Sequence, residues 1–351
     1  MHITENEVTF ERCDQAFVGK FGAEVAAQMV LDYKSLYSLP FLYDTYQLAD
    51  FLGIGRKELF DCVRHCDQNY RTISLKKKNG GTRRVYAPQK PLRIYQDKIL
   101  QEILSRFPVS KYAKAYVRGG TLVQNAAPHV GKRYILKLDI TDFFNSLHFE
   151  QIYSAAFNTN YFPKQIGVML TTLCCRKNFL PQGASTSPAL SNLVMRNFDD
   201  AMGFWCEKRG IAYTRYCDDM TFSSNQPLFS VYQKAKSMLE NMGLELNERK
   251  TSFFTNANRQ SVTGLTVNEK VSVSKSYKQN LRQEVYYVLK FGLAEHLLHT
   301  NNKLFLADGV PDTQAYYRHL VGRVCFVLQI EPENTWFQNA LVQLGSKENS
   351  C

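Results

Sequence analysis

Residues 213–223 read YTRYCDDMTFS. Two adjacent acids, Asp218 and Asp219, interrupt a run of aromatic and β-branched residues that suits a strand. Two like charges ~4 Å apart repel by about 4 kcal/mol at an effective dielectric of 20. A turn explains the pair in one way, because Asp is a good turn residue and a hairpin tip tolerates two. A cation site explains it in another, because a tight hairpin can set both carboxylates at one sheet edge. A second pair, Asp199-Asp200 in NLVMRNFDDAMGFW, is a useful contrast. There Leu190, Leu193, Val194, Phe198, Met202 and Trp205 recur at helical spacing. Neighbouring helix residues point in different directions, so this second pair cannot converge on one ion and reads as a solvated face.

The chain has 351 residues, enough for two or three packed units. With 44% hydrophobic and 21% charged residues it is globular rather than disordered. Lys and Arg outnumber Asp and Glu by 43 to 32, a formal net charge of +11 that fits a polyanionic partner. Nine cysteines form no CxxC pair. CVRHC, Cys62 to Cys66, reads as helix rather than metal site, and the scattered set suits reduced thiols in a cytoplasm. The N-terminus has no signal-peptide core, and no apolar run is long enough to span a membrane.

Residues 23–66 are helical in pattern, with a break at Gly53–Gly55. A DNA-reading helix-turn-helix is one interpretation, but few basic residues mark a recognition face, which favours a packing element. In YRTISLKKKNGGTRRVYAPQKPLR, strands around Ile73–Leu75 and Arg84–Ala87 flank a KNGG hairpin signal. Lys76, Lys77, Lys78, Arg83 and Arg84 crowd its tip, a clamp for phosphates or an edge blunted with Lys. The near-continuous apolar run Tyr134–Leu138 predicts a buried strand that sets Asp139 at a sheet edge. Asp142 suits the cap of a following helix. Ser187 and Pro188 suit the N-cap and first position of another. VTG runs into a turn inside a β-hairpin, and the last quarter forms a helical unit with helices from Lys275, around Tyr316 and around Trp336.

Asp139 and the Asp218-Asp219 pair, brought together, offer oxygen ligands for two divalent ions. Such ions ~4 Å apart activate an attacking hydroxyl and stabilise the leaving group in phosphoryl transfer. At this point the motifs resemble those of reverse transcriptases, in the right order over most of the chain. LDITDFF resembles the first aspartate motif, LPQGASTSP the Gln-Gly loop, YCDD the Tyr-x-Asp-Asp hairpin, and GLELNERKTSFF and VTGLTVNEK the later palm motifs. Bacterial retron reverse transcriptases are the most similar branch. NAAPH, Asn125 to His129, matches the branch's Asn-Ala-x-x-His pattern, Val262, Thr263 and Gly264 match its Val-Thr-Gly signature, and GRVCFVLQIEPEN is similar to the end of its thumb. Cys217 stands where the family often has Ala, a small substitution that should not cost activity.

The resemblance implies an α+β right-hand polymerase whose palm is an antiparallel sheet backed by helices. It implies an N-terminal helical region over 1–70, fingers over 71–133 and 146–180, palm over 134–145 and 181–272, and a helical thumb over 273–351. Asp139, Asp218 and Asp219 would be catalytic and bind two Mg²⁺ ions, with the Ile140 carbonyl as a further ligand. Phe144 would stand against the incoming sugar, although most Phe residues are simply core. Gln182, Gly183 and Arg84 would contact the incoming nucleotide, and Lys250 would protonate pyrophosphate. Lys76, Lys77, Lys78, Arg83, Asn125, His129, Val262, Thr263, Gly264, Lys275, Lys278, Arg282 and Arg323 would contact nucleic acid. The implied partners are deoxynucleoside triphosphates, a structured non-coding RNA serving as template and primer, the branched RNA–DNA hybrid product, and a separate effector protein in anti-phage defence, in the cytoplasm and with no membrane. Rival readings are a group II intron or diversity-generating enzyme, or an inactive polymerase fold that only binds RNA.

Overall fold

The computed structural model describes residues 38–76, 80–307 and 309–348, with Val25, residues 28–31 and Tyr33. Lys77 and Lys78 lie outside the described residues. The chain divides into two compact units, one of residues 1–120, 137–220 and 229–252 and one of residues 121–136, 221–228 and 253–351.

In the first unit, α1 (Thr45–Leu52) starts where the Asp44 carboxylate accepts from the backbone N–H groups of Tyr46 and Gln47. Gly53, at φ 75°, closes it, since only a residue without Cβ takes that backbone without strain. Helix α2 (Arg56–Arg64) follows. The two helices bury Leu48, Leu52 and Leu59, as a packing element should. Strands β1 (Tyr70–Lys76) and β2 (Thr82–Pro88) pair antiparallel with Ile73 opposite Val85 and Ser74 opposite Arg84. The expected hairpin is present and longer at both ends. Helix α3 (Lys90–Glu102) buries Leu92, Gln96 and Ile99. The Gln96 Nε2 donates there to the Tyr70 hydroxyl (2.7 Å) and the Leu173 carbonyl (2.8 Å).

Helix α4 (Leu122–Ala126) opens with a capping box between Thr121 and Gln124. Strand β3 (Tyr134–Asp139) is followed by a 3₁₀ turn, Phe143–Ser146. Asp142 precedes that turn at φ 45°, and its carboxylate takes the Asn145 side-chain amide rather than capping backbone. Helices α5 (Phe149–Ile152), α6 (Lys164–Cys174) and α7 (Ser187–Glu207) come next. Ser187 is the first residue of α7 rather than its cap, and its hydroxyl donates to the Pro181 carbonyl at 2.8 Å. Strands β4 (Ala212–Tyr216) and β5 (Asp219–Ser224), helix α8 (Phe229–Glu240) and strand β6 (Ser252–Thr255) complete the middle of the chain. One four-stranded sheet has the order β4-β5-β3-β6.

In the second unit, β7 (Ser261–Val262) and β8 (Leu265–Thr266) form a hairpin over the two-residue turn Thr263-Gly264. Four helices follow: α9 (Lys275–Phe291), α10 (Leu293–Thr300), α11 (Thr313–Ile330) and α12 (Thr335–Glu348). The pair β9 (Leu306–Ala307) and β10 (Val310–Pro311) lies between α10 and α11. Val262, Leu265, Val285, Leu320, Val324 and Phe337 belong to one core cluster, so hairpin and helices share their apolar faces. Three helices were expected here; α10 is additional because its short apolar run after Gly292 gives little periodicity to read. Among the described residues, no helix is long and apolar enough to cross a membrane.

Candidate active site

β3 and β5 are neighbours in the sheet, and this pairing brings the acids together. Asp139 ends β3 and is nearly buried, at 5% exposure. Cys217 and Asp218 form the turn between β4 and β5, and Asp219 begins β5. Cys217 has φ 62°, a left-handed conformation that a non-glycine residue adopts only when its surroundings hold it. Three contacts hold it. The backbone N–H of Ile140 donates to the Asp218 carbonyl at 3.2 Å. The Tyr116 hydroxyl meets the Cys217 thiol at 3.4 Å. The Arg215 guanidinium donates to the Cys217 carbonyl at 2.9 Å.

Arg215 is fully buried, the largest such side chain among the described residues. Its Nε reaches both Asp199 oxygens (2.9 and 3.1 Å), and Nη2 reaches Asp199 Oδ2 (2.6 Å) and Asn192 Oδ1 (3.0 Å). The Tyr213 hydroxyl donates to Asp199 Oδ1 at 2.7 Å. Burial pulls the guanidinium down, but the Asp199 charge more than offsets it and the group is held above its ordinary value. Burial and then Asp199 push the Tyr213 phenol well up. Asp199 therefore does not belong to a solvated face; only Asp200 does, beside Arg196 and bonded to Ser110. A signal was available, because Asp199 shares a helical stripe with Met195, Met202 and Cys206, all buried.

Lys250 Nζ donates to Asp139 Oδ2 at 2.7 Å. The Asp139 hydrogen bond, aided by all three aspartate charges, raises the ammonium above its ordinary value against a smaller effect of burial. Partial burial, then the charges of Asp218 and Asp139, push Asp219 up from 3.8 to about 6, with Lys250 opposing. A carboxyl whose folded-state value is raised holds its proton more tightly in the folded chain. Asp219's own contribution to the stability of the metal-free protein therefore falls as pH rises from 3.8 to about 6.

Among the described residues, no three Asp, Glu, His or Cys side chains close into a ligand cage. An open edge of carboxylates is nonetheless what Mg²⁺ needs, because it keeps waters and takes substrate phosphate oxygens rather than filling an all-protein cage. The hard oxygen donors and the cation already lying on Asp139 fit divalent metal.

The Gln-Gly loop lies against β2. Gln182 accepts from the backbone N–H of Tyr86 at 2.7 Å. A Cβ on Gly183 would stand 2.6 Å from Val85 and 3.0 Å from the Tyr86 carbonyl, and its φ is +121°, so glycine is required. The approach brings Gln182 next to the strand that carries Arg84. Arg83, Arg84 and Lys76 are exposed, and Phe144 is half-buried, its ring 5.4 Å from that of buried Phe143.

Other expectations need correction. Asn125, His129 and Val262 are buried at 1%, 0% and 0% exposure, so none presents a surface to nucleic acid. Instead the two retron-like motifs meet. Asn125 Nδ2 donates to Thr263 Oγ1 at 3.3 Å, and His129 Nδ1 pairs with Ser223 Oγ at 2.7 Å. Thr263, a β-branched residue at φ 46°, and Gly264 at φ 87° form the turn that this bond steadies. Lys278 is ion-paired with Glu331 at 2.7 Å and Arg323 with Glu284, both largely covered, so these two serve the helical unit's own packing. Arg282 lies over the rings of Trp336 and Phe337. Only Lys275 of the four remains an exposed cation.

A model of the reverse transcriptase (RNA-dependent DNA polymerase) family matches residues 75–278. Such nucleotidyl-transfer enzymes generally use divalent metals. Retron Mx65 reverse transcriptase of Myxococcus xanthus is 30% identical over 322 residues, 85% of this chain and 70% of that protein. Retron Ec86 reverse transcriptase of Escherichia coli is 29% identical over 71% of this chain and 79% of its own length. Retron Se72 reverse transcriptase of Salmonella heidelberg is 30% identical over 71% and 68%. Among solved structures, apo telomerase from Candida tropicalis matches at 12% identity and a TM-score of 0.42, covering 78% of this chain and 58% of that one. The motif order, the acids at one sheet edge and these relatives agree: the chain belongs to the bacterial retron reverse transcriptases, RNA-directed DNA polymerases of the right-hand fold.

Proposed function

We propose that this protein copies a dedicated structured non-coding RNA into DNA, using that RNA as template and as primer through an internal 2′-hydroxyl, to give a branched RNA–DNA hybrid. The observation that carries the chemistry is the convergence of Asp139 with the Asp218-Asp219 turn on neighbouring strands. Similarity to named retron enzymes supports the branched product and a role in anti-phage defence beside a separate effector. Residues 71–133 and 146–180 act as fingers, 134–145 and 181–272 as palm, and 273–351 as thumb.

Two Mg²⁺ ions, when bound, supply charge stabilisation for the attacking and leaving oxygens. Asp139, Asp218 and Asp219 would hold them, with the Ile140 carbonyl as a further ligand. Lys250 neutralises Asp139 in the metal-free state and keeps a proton near the leaving pyrophosphate. Arg84 takes the triphosphate, and Gln182 and Gly183 position the nucleotide. Lys76, Arg83 and Lys275 attract backbone phosphates, and exposed Gly264 with Thr263 offers a rigid turn to the RNA.

Phe144 screens the sugar. Phe144→Ala should admit ribonucleotides while deoxynucleotide use stays near that of the parent protein. A core ring would instead cost about 3–5 kcal/mol on truncation and leave sugar choice alone. Competition between ATP and dATP, with a thermal melt alongside, separates the two. Sequencing the nucleic acid that co-purifies with the protein, with and without debranching enzyme, tests the whole reading. One RNA species joined to complementary DNA and released by debranching is expected. Linear DNA only, or RNA of no single sequence, would overturn the retron product.

A further inference from the structure

The outer sides of α7 and α8 form a shallow groove of ≈ 460 Å³, lined among others by Phe204, Trp205, Lys208, Arg209, Lys234 and Met238. Phe204 is 57% exposed, and the apolar side chains of Trp205 and Met238 extend its ring into one patch of the groove. Lys208 Nζ stands 4.2 Å from the Phe204 centroid, and the Arg209 guanidinium 4.2 Å from that of Trp205. No acid lines the groove. The nearby acids are engaged elsewhere: Glu207 with Lys111 (2.8 Å), Asp200 with Arg196 (3.9 Å) and Glu248 with Lys236 (2.9 Å). Three cations therefore stand beside two rings with no described carboxylate paired to them.

We propose that this groove binds a single-stranded segment of RNA, apart from the carboxylate edge where synthesis occurs. Aromatic rings give unpaired bases a stacking platform, and cations beside them track the phosphates. A purely apolar partner would leave Lys208, Arg209 and Lys234 desolvated without counter-charge. Unpaired RNA supplies both the ring faces and the negative charge. It is also the long polymer this enzyme handles, so the choice of RNA rests on the polymerase reading, whereas the groove's chemistry does not.

The probe is a 12-nucleotide oligouridylate carrying 5-bromouridine, added to the full chain already saturated with a short primed RNA template. Irradiation should crosslink it to the peptide containing Phe204 and Trp205. Phe204→Ala, which removes an exposed ring, should weaken the probe about tenfold. Lys208→Gln with Arg209→Gln and Lys234→Gln should flatten the slope of log affinity against log salt by roughly 2, at about 0.7 per phosphate of a single strand. Both variants should melt like the parent and extend the short primed template at its rate. Crosslinks confined to other peptides, unchanged affinity in both variants, displacement by polyglutamate at lower concentration than by oligouridylate, or binding of oligothymidylate alone would each overturn the proposal. Failure of the parent protein to extend the primed template would instead count against the polymerase reading, while the crosslink still decides the groove.

Discussion

Arg215→Met should destabilise the protein by about 3–5 kcal/mol, the usual cost of stranding a buried charge. Asp199 would lose three guanidinium contacts and keep only the Tyr213 hydroxyl among the hydrogen bonds described for its carboxylate. Removing both charges is a different experiment. Arg215→Met combined with Asp199→Leu replaces the pair by apolar groups of similar size, and such replacements are often neutral or stabilising. The double variant should recover most of the stability in urea melts. It should not recover activity, because the Cys217 carbonyl still lacks its donor and the left-handed turn carrying Asp218 is released. A misplacement of about 1 Å at reacting groups costs on the order of 10²-fold in rate. A single variant as stable as the parent would contradict this role for the ion pair. A stable double variant with full synthesis would show that the turn needs no support from Arg215.

The parts of this protein that local patterns encode were legible in the sequence. The apolar run before Asp139, the KNGG hairpin, the VTG turn and the helical spacing of Leu281, Val285 and Val288 each reflect a period or a turn chemistry within a few residues. What escaped depended on partners far along the chain. Asp199 looks like an ordinary helix acid until Arg215, 16 residues away, is placed against it. Lys278 and Arg323 look like phosphate contacts until Glu331, just past the end of α11, and Glu284, on α9, take them up. Asn125 and Thr263, separated by 138 positions, matched the family as two motifs, and only the fold shows the hydrogen bond joining them. Gly183 enters the sequence reading only as a nucleotide contact, and the fold adds a requirement that no local pattern carries, its close approach to β2.

Asp218→Asn keeps the shape of the turn and removes one of the charges proposed to hold metal, and the same goes for Asp139→Asn at the end of β3. Divalent cations contribute several kcal/mol of transition-state stabilisation in phosphoryl transfer, so losing a carboxylate proposed to hold them should slow synthesis by at least about 10³-fold. Asp219→Asn should be milder, because burial and the neighbouring carboxylates already push its carboxyl up to about 6, toward the uncharged form. RNA binding and the urea midpoint should stay close to those of the parent. The decisive measurement is single-turnover incorporation of one deoxynucleotide on a primed RNA template in Mg²⁺, by the parent and by Asp218→Asn. The predicted result is incorporation by the parent that stops with chelator, and none detectable by the variant. A variant rate within tenfold of the parent would contradict the assignment of this sheet edge as the polymerase centre.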